Sequence, residues 1–284
     1  MSSPTVRRHR LGAELRQLRE AAGLTGDQVV ASVGWGSASK LSRIENGRSR
    51  PNLADILDLL DLYGTTGAQR ETITAIARDA ASTRGWWRSV ADLGERQRQC
   101  AELEAGAVEI REYHQLVVPG LVQTPEYTRT RVTSALDVYG NLDVGAEVDA
   151  RQSRQALLAD DDPPRYEAVI DEAALRRRVA PAEVMRGQLR RLVEAAGLPN
   201  VTLRVLPFDA RVADYYVPHT SFLFFRFADP DDPEVVLLET LTSDVQLADE
   251  DDIARYRLVF DWLRAAALPP DESIAFLAAL ADRS

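Results

Sequence analysis

SASKLSRIENGRSRP, residues 37–51, decides the fold of the first part of this 284-residue chain. One of its first two serines is suited to cap a short helix, and Leu41 and Ile44 would face inward from that helix. Asn46 and Gly47 end it, because glycine readily takes the left-handed backbone conformation that follows a helix end. A proline then precedes the next helix. The stretch predicts a short, capped, amphipathic helix followed by an arginine-rich loop.

The sequence on both sides of this stretch predicts four more helices. Leu11, Leu15 and Leu18 recur at helical spacing and form one apolar face. Thr25 is suited to cap a second short helix, since its hydroxyl can accept a hydrogen bond from a backbone N–H of the first turn. Apolar residues at the same spacing predict two further helices downstream. We therefore predict an all-α, five-helix domain over residues 1–81.

Two of the predicted short helices are joined by Gly34-Trp35-Gly36, which is the arrangement of a helix-turn-helix. In that motif the second helix enters the major groove of DNA and the first crosses the backbone. Arginine and lysine can contact guanine, and serine can contact bases or phosphates. The candidate DNA-binding residues are Thr25, Gln28, Ser37, Ser39, Lys40, Ser42, Arg43, Arg48 and Arg50.

Acidic Glu45 does not suit this DNA-binding surface, because its carboxylate would repel phosphate. We expect it to pair with Arg16 or Arg19, or to cap backbone groups. The charge distribution as a whole favours a polyanion partner for this end of the chain. Residues 1–52 hold nine basic and four acidic residues, net +5, whereas the whole chain has net charge −10 and the remainder −15. A basic surface that simply faces solvent explains the same counts.

Composition excludes several other classes of protein. The single cysteine, Cys100, excludes an internal disulfide framework and a multi-cysteine metal site. No cofactor or metal motif is present. No apolar run reaches about 18 residues, and no hydrophobic region follows the basic N-terminus. We expect a cytoplasmic, nucleoid-associated protein with no membrane segment.

The sequence offers few residues that suit a catalytic role. His114 and His219 have no nearby serine or cysteine in a recognised nucleophile motif. Acidic pairs such as Asp171-Glu172 fall at predicted helix starts, where the helix dipole favours carboxylates. We therefore expect that the chain is not an enzyme and that its catalytic residue set is empty. A hydrolase fused to a DNA-binding domain is the less favoured alternative.

Residues 82–284 predict a second, mixed α+β domain. Apolar residues over 166–170 indicate one strand, and alternating apolar and polar residues over 201–205 indicate another. Two further predicted strands, Ser221–Phe227 and Glu234–Thr240, form a predicted hairpin. Trp86 and Trp87 are expected to be core residues, the alternative being a hinge packed against the second domain. We expect a small, mainly antiparallel sheet surrounded by helices. The predicted helices span about 144–159, 172–178, 181–196, 250–266 and 271–281.

The first domain resembles a known family. LRQLREAAGLT (15–25) followed by SKLSRIENGRSRP (39–51) is similar to the repressor-type helix-turn-helix of the phage-repressor and xenobiotic-response-element (XRE) family. The resemblance implies a DNA-binding transcriptional regulator. Two departures concern which residues contact DNA. Gly26 stands where the family often has a phosphate-binding glutamine, and the turn Gly34–Ser39 is about one residue longer than usual.

The second domain also resembles a family. Its matching stretches are RGWWR (84–88), VPGLVQTPEYTR (118–129), DEAALRR (171–177), NVTLRVLPF (200–208), EVVLLETLTSD (234–244) and ARYRLVFDWLRAAALPPDES (254–273). They are similar to the domain of unknown function that follows this helix-turn-helix in many regulators of filamentous high-GC Gram-positive bacteria. The resemblance implies no established enzymatic activity and a small partner protein encoded nearby. Thr240 departs from it, because the family commonly has glycine there.

The sequence leaves open what the second domain does in such a regulator. One interpretation is dimerisation or binding of a partner protein, and a homodimer is expected because one reading helix covers only half of a site. The alternative is a ligand-sensing regulator with a small-molecule pocket. Aromatic residues are suited to either role. The aromatic residues that could line a pocket are Tyr113, Tyr215, Tyr216, Phe222, Phe224 and Trp262, most of which are expected to be core residues. The candidate ligand or partner surface consists of Tyr113, Tyr215 and Tyr216.

Overall fold

The computed structural model describes residues 3–82, 95–140 and 142–283. The chain divides into two compact units. Unit 1 comprises Met1–Arg88 with Phe227–Glu234, and unit 2 comprises Ser89–Arg226 with Val235–Ser284. Trp86 and Trp87, predicted as core residues, lie outside the described residues, as does most of the segment around the predicted domain boundary.

The described part of unit 1 contains five helices, as the sequence predicts. They are α1 (Pro4–Ala21), α2 (Gly26–Ser32), α3 (Ala38–Glu45), α4 (Leu53–Leu62) and α5 (Gly67–Ala80). Their apolar faces meet in one core that contains the predicted Leu11, Leu15, Leu41 and Ile44, each at most 5% exposed. Leu18 is only half-buried at the margin of that core.

Local polar contacts set the helix boundaries. The Thr25 hydroxyl accepts a hydrogen bond from the N–H of Gln28, and the Thr25 N–H donates to the Gln28 side chain, which completes a capping box. The Ser37 hydroxyl accepts from the N–H of Ser39 and begins α3. Gly47 follows α3 with φ +65°, the left-handed conformation expected there. The predicted caps and helix stop are confirmed.

The backbones of α1 and α3 approach each other very closely at Gly12. A Cβ atom on Gly12 would lie 2.4 Å from the carbonyl oxygen of Glu45 and 2.7 Å from that of Ile44. Such distances are far inside van der Waals contact, so only glycine fits at this crossing. The close approach fixes the position of α3 on α1.

Basic residues of α1 are paired within unit 1. Arg7 and Arg10 lie against the acidic turn of Phe227–Glu234, where Arg10 donates to Asp229 at 2.9 Å. Arg7 Nη1 lies 3.1 Å from the carboxylate of Asp232, whose side chain is fully buried. The turn therefore neutralises two of the arginines that the sequence count assigns to a basic surface.

Unit 2 is an α+β fold built on a six-stranded sheet. Its strands are β1 (Ala107–His114), β2 (Arg165–Asp171), β3 (Val201–Leu206), β4 (Phe222–Phe227), β5 (Val235–Glu239) and β6 (Asp244–Leu247), in the order β3-β2-β1-β4-β5-β6. Its described helices are α6 (Glu95–Glu104), α7 (Pro125–Thr133), α8 (Leu136–Tyr139), α9 (Val144–Gln155), α10 (Glu172–Arg176), α11 (Ala182–Ala195), α12 (Glu250–Ala266) and α13 (Pro270–Arg283).

The expectation of a small, mainly antiparallel sheet is wrong. β1 pairs with β2 and β2 with β3 in parallel, whereas β4–β5 and β5–β6 are antiparallel. The sequence prediction missed β1, which supplies the first partner of the parallel half. Long helical connections separate β1, β2 and β3, and such crossovers permit parallel pairing. The predicted β4–β5 hairpin is confirmed.

A buried polar network lies beside the sheet in unit 2. Arg154, on α9, donates to both carboxylate oxygens of Glu104 and lies 3.0 Å from the sulfur of Cys100. Burial raises the pKa of the Cys100 thiol well above its usual range, so the thiol is protonated at neutral pH. His114 contacts Glu112 at 3.0 Å and is buried, which removes it from any solvent-facing site.

We expect Gly12→Ala to destabilise unit 1 by about 1–3 kcal/mol, because the added methyl group must push apart the α1 and α3 backbones. Urea unfolding followed by far-UV circular dichroism measures this change. Gly187→Ala is the matched control, since it adds the same methyl group within α11 with no atom within 4 Å of the new Cβ. The control should be neutral or stabilising. Equal effects of the two substitutions would contradict the steric explanation.

Candidate functional site

The α2–turn–α3 segment of unit 1 presents one polar face. Val29, Leu41 and Ile44 are buried and attach α2 and α3 to the core. Because helical residues three and four apart share a face, the opposite side of α3 is exposed and holds Ser39 and Arg43, with Ser42 beside them. The geometry is that of a helix-turn-helix with α3 as the second helix.

Three arginines give this face its positive charge. Arg43 lies on α3, and Arg48 and Arg50 lie in the loop that follows it. All three are exposed, and within the described parts of the chain no carboxylate pairs with them. Exposed guanidinium groups are suited to bidentate contacts with phosphate or guanine.

Lys40 has a different environment from the one predicted for it. Its Nζ lies 2.7 Å from Oδ1 of Asp55 and 4.2 Å from the centre of the Trp35 ring. The lysine is thus held against α4 by an ion pair and a cation–π contact. Contact with DNA would require it to leave Asp55, so it is less available than Arg43. The sequence prediction missed Asp55 because the contact spans two helices.

The capping box also limits what Gln28 can do. Its carbonyl oxygen accepts the Thr25 N–H at 2.8 Å, so only its amide nitrogen is suited to a phosphate oxygen. Thr25 and Gln28 are both exposed at the start of α2. Ser37 is the cap of α3, and its hydroxyl lies 2.8 Å from that of Ser39. The roles of these residues in DNA binding stay predictions.

Glu45 pairs as the sequence predicts. Arg19 donates from Nε to Oε1 of Glu45 at 2.6 Å and from Nη2 to Oε2 at 3.1 Å, a bidentate contact. Arg16 lies 3.7 Å from the same carboxylate and donates to Asn46 at 2.8 Å. The hydrogen bond to Glu45 raises the pKa of Arg19 despite its burial. These contacts turn the Glu45 carboxylate toward α1.

The predicted tyrosine surface divides into three environments in unit 2. The prediction of Tyr113 as a surface residue is wrong, because its side chain lies in the core and is only 2% exposed. Tyr215 is 77% exposed. Tyr216 packs edge-on against Trp262 with ring centres 5.5 Å apart and lines a cavity. Tyr216 and Phe222, both among the predicted pocket aromatics, line this cavity, whereas Tyr256 and Val259 of α12 were missed.

Comparison with known families agrees with this geometry. A model described as a helix-turn-helix domain matches residues 10–73, and this domain supports a DNA-binding regulator. A model described as Domain of unknown function (DUF5753) matches residues 97–279, and the chain belongs to that family. Comparison with curated proteins gives no match, and neither does comparison with solved structures. None of the described helices is both long and apolar enough to cross a membrane.

We expect Asp55→Asn to strengthen binding of duplexes of random sequence by ~2- to 5-fold at low salt, because it releases Lys40 and removes a negative charge. The salt dependence should steepen by ~0.9 in the slope of log K against log salt. Fluorescence anisotropy with the full chain measures both. Asp58→Asn, on the same helix and exposed, is the control with the same charge change. An equal gain in the control would mean that release of Lys40 contributes nothing.

Proposed function

We propose that the chain is a sequence-specific transcriptional regulator of the XRE type that reads double-stranded DNA with α3. The observation that carries this proposal is the exposed trio Arg43, Arg48 and Arg50 on and just after a helix whose other side is fixed to the core. Arg43 is the candidate base-reading residue, and the two loop arginines are candidate phosphate contacts. Ser39 and Ser42 flank Arg43 on the same exposed side.

The proposed active form is a homodimer that places two α3 helices on the half-sites of one operator. A single recognition helix contacts few base pairs, and two-fold symmetry doubles the contacts. The C-terminal unit mediates dimerisation or binds a small partner protein. Support for this part comes from the resemblance of the sequence to regulators that are encoded beside such a partner.

A ligand-sensing role for unit 2 is the second candidate. It is favoured by one observation, a cavity of about 320 Å³ bordered by Tyr216. Both candidates describe a non-enzymatic, cytoplasmic protein associated with the nucleoid, and neither includes a catalytic step or a cofactor.

We expect Arg43→Ala to weaken binding to a selected duplex by about 1–3 kcal/mol, roughly 5- to 150-fold, because a bidentate guanidinium–base contact is lost. Selection from random duplexes with the full chain supplies the target, and electrophoretic mobility shift measures affinity. Arg78→Ala, an exposed arginine on α5, is the control for loss of one positive charge. Loss of the same size on random and selected duplexes would assign Arg43 to phosphate instead. No binding of any duplex at low salt would refute the proposal.

Affinity for the selected duplex should fall steeply as salt increases. Each phosphate neutralised by an arginine releases counterions, which contributes about −0.9 to the slope of log K against log salt. Arg48→Ala and Arg50→Ala should each reduce the slope by about one such unit while leaving sequence preference unchanged. Anisotropy titrations between about 50 and 200 mM salt measure this, and an affinity independent of salt would contradict the electrostatic part of the proposal.

A further inference from the structure

A cavity of unit 2 lies beside the start of β4, near the point where the order of the sheet reverses. The chain moves outward from β1 through β2 to β3, then returns to place β4 on the other side of β1. Gln115, just after β1, donates its N–H to the hydroxyl of Ser221, just before β4. The cavity is built from residues 216–222 at this same end of the sheet, together with β6 and α12.

The cavity wall is mostly apolar. The rings of Tyr216, Phe222 and Tyr256 form one part of it, and Leu247 and Val259 form another. Phe222 and Tyr256 are in edge contact with ring centres 5.1 Å apart, so the aromatic surface is continuous with the core. A volume of about 320 Å³ with an apolar wall is in the range of small-molecule sites.

The charged residues of the wall neutralise each other. Arg255 Nη1 lies 3.2 Å from Oδ1 of Asp252, one helical turn away on α12. Burial raises the pKa of the Tyr256 hydroxyl, and neighbouring Tyr216 and Asp252 add to the shift, so the hydroxyl is a neutral donor. His219 and Thr220 supply further hydrogen-bonding atoms. The site therefore offers hydrogen bonds to a ligand but no net charge from the Asp252–Arg255 pair.

The loop that carries the cavity is held in a costly conformation. Residues 207–221 contain neither helix nor strand. Within them Ala213 has φ +43° and Tyr215 has φ +66°, in the left-handed region that disfavours residues other than glycine. Each such residue costs about 1 kcal/mol or more, and such strain clusters at ligand clamps and switch regions. Tyr215 and Val217 are also exposed beside the cavity, at 77% and 71%.

We propose that this cavity is the effector site of the regulator and binds a small, neutral, ring-containing organic molecule with a hydroxyl or carbonyl group at one end. The ring packs against Tyr216, Tyr256 and Val259, and the polar group meets the hydroxyls and His219 at the rim. The inference deepens the ligand-sensing candidate above and rests on it. Failure of the cavity test can be distinguished from failure of the DNA-binding proposal, because the Arg43→Ala experiment measures DNA binding without any ligand.

The test uses three naphthalene probes of equal ring size and different charge with the full-length protein. Naphthalen-2-ylmethanol is neutral, naphthalene-2-carboxylate is an anion, and naphthalen-2-ylmethylammonium is a cation. Ligand-observed NMR titration gives Kd for each. We expect the alcohol to bind at least fivefold more tightly than either ion.

The cavity is then filled by substitution. Val259→Phe, on α12, should weaken binding of the alcohol at least tenfold, and Leu247→Phe, on β6, should do the same. Leu258→Phe is the matched control, because Leu258 is the adjacent, half-exposed residue of α12 and does not line the cavity. It should change Kd less than twofold. Thermal melting by circular dichroism identifies a variant that fails to fold. If one of the two filling variants fails, the effect of the other on Kd tests the inference.

Three results would overturn the inference. They are absence of binding by the alcohol, tighter binding of either ion, and equal weakening by the filling variants and Leu258→Phe. If no probe binds and Val259→Phe instead changes the oligomeric state in sedimentation, the cavity belongs to an interface between two copies of the chain, which also refutes a small-molecule site.

Discussion

The attachment of α3 to α1 is the constraint on which the DNA-reading geometry depends. Two contacts produce it: the backbone crossing that only Gly12 permits, and the bidentate pair between Arg19 and Glu45. Hydrogen bonds to charged partners contribute about 1.5–3 kcal/mol, a large share of the stability of a small helical domain. With one side of α3 fixed in this way, its opposite side can present Ser39 and Arg43 in one rigid orientation.

Ion pairing decides which basic residues remain available to DNA. The sequence places nine basic residues in the first 52, yet the structure gives several of them carboxylate partners within unit 1. Arg7 and Arg10 face an acidic turn, Arg19 faces Glu45, and Lys40 faces Asp55. The exposed positive charge is therefore concentrated at the end of α3 and the loop after it. Counting basic residues in the sequence therefore overstates the basic surface, because the fold pairs several of these residues with carboxylates.

Unit 2 combines a parallel and an antiparallel half in one sheet, and the change between them creates its most distinctive surface. At that point a long loop leaves β3, passes two residues with left-handed backbone and enters β4 beside an apolar cavity. Polar side chains are instead buried between α6 and α9, where Arg154 hydrogen-bonds to Glu104 and Cys100. In the proposed ligand-sensing role, a mostly apolar cavity beside a strained loop would couple ligand binding to a conformational change.

Local sequence determined the elements whose signals are short-range. The Thr25 cap, the helix stop at Gly47, the helix after Asp171 and the β4–β5 hairpin follow from residues within a few positions of each other, so all were predictable. The exposed face of α3 followed as well, because helical periodicity separates Leu41 and Ile44 from Ser39 and Arg43.

Only the tertiary structure decided the pairings between distant segments. β1 pairs with β2, which lies about 55 residues further along the chain, so β1 and the parallel pairing of the sheet were missed. Lys40 pairs with Asp55, and Tyr113 is buried in the core. Tyr216, Tyr256 and Val259, which are distant in sequence, line one cavity. Periodicity fixes which face of an element is apolar, but strand partners, ion pairs and cavities depend on which elements meet. That choice is made by the packing of the whole chain.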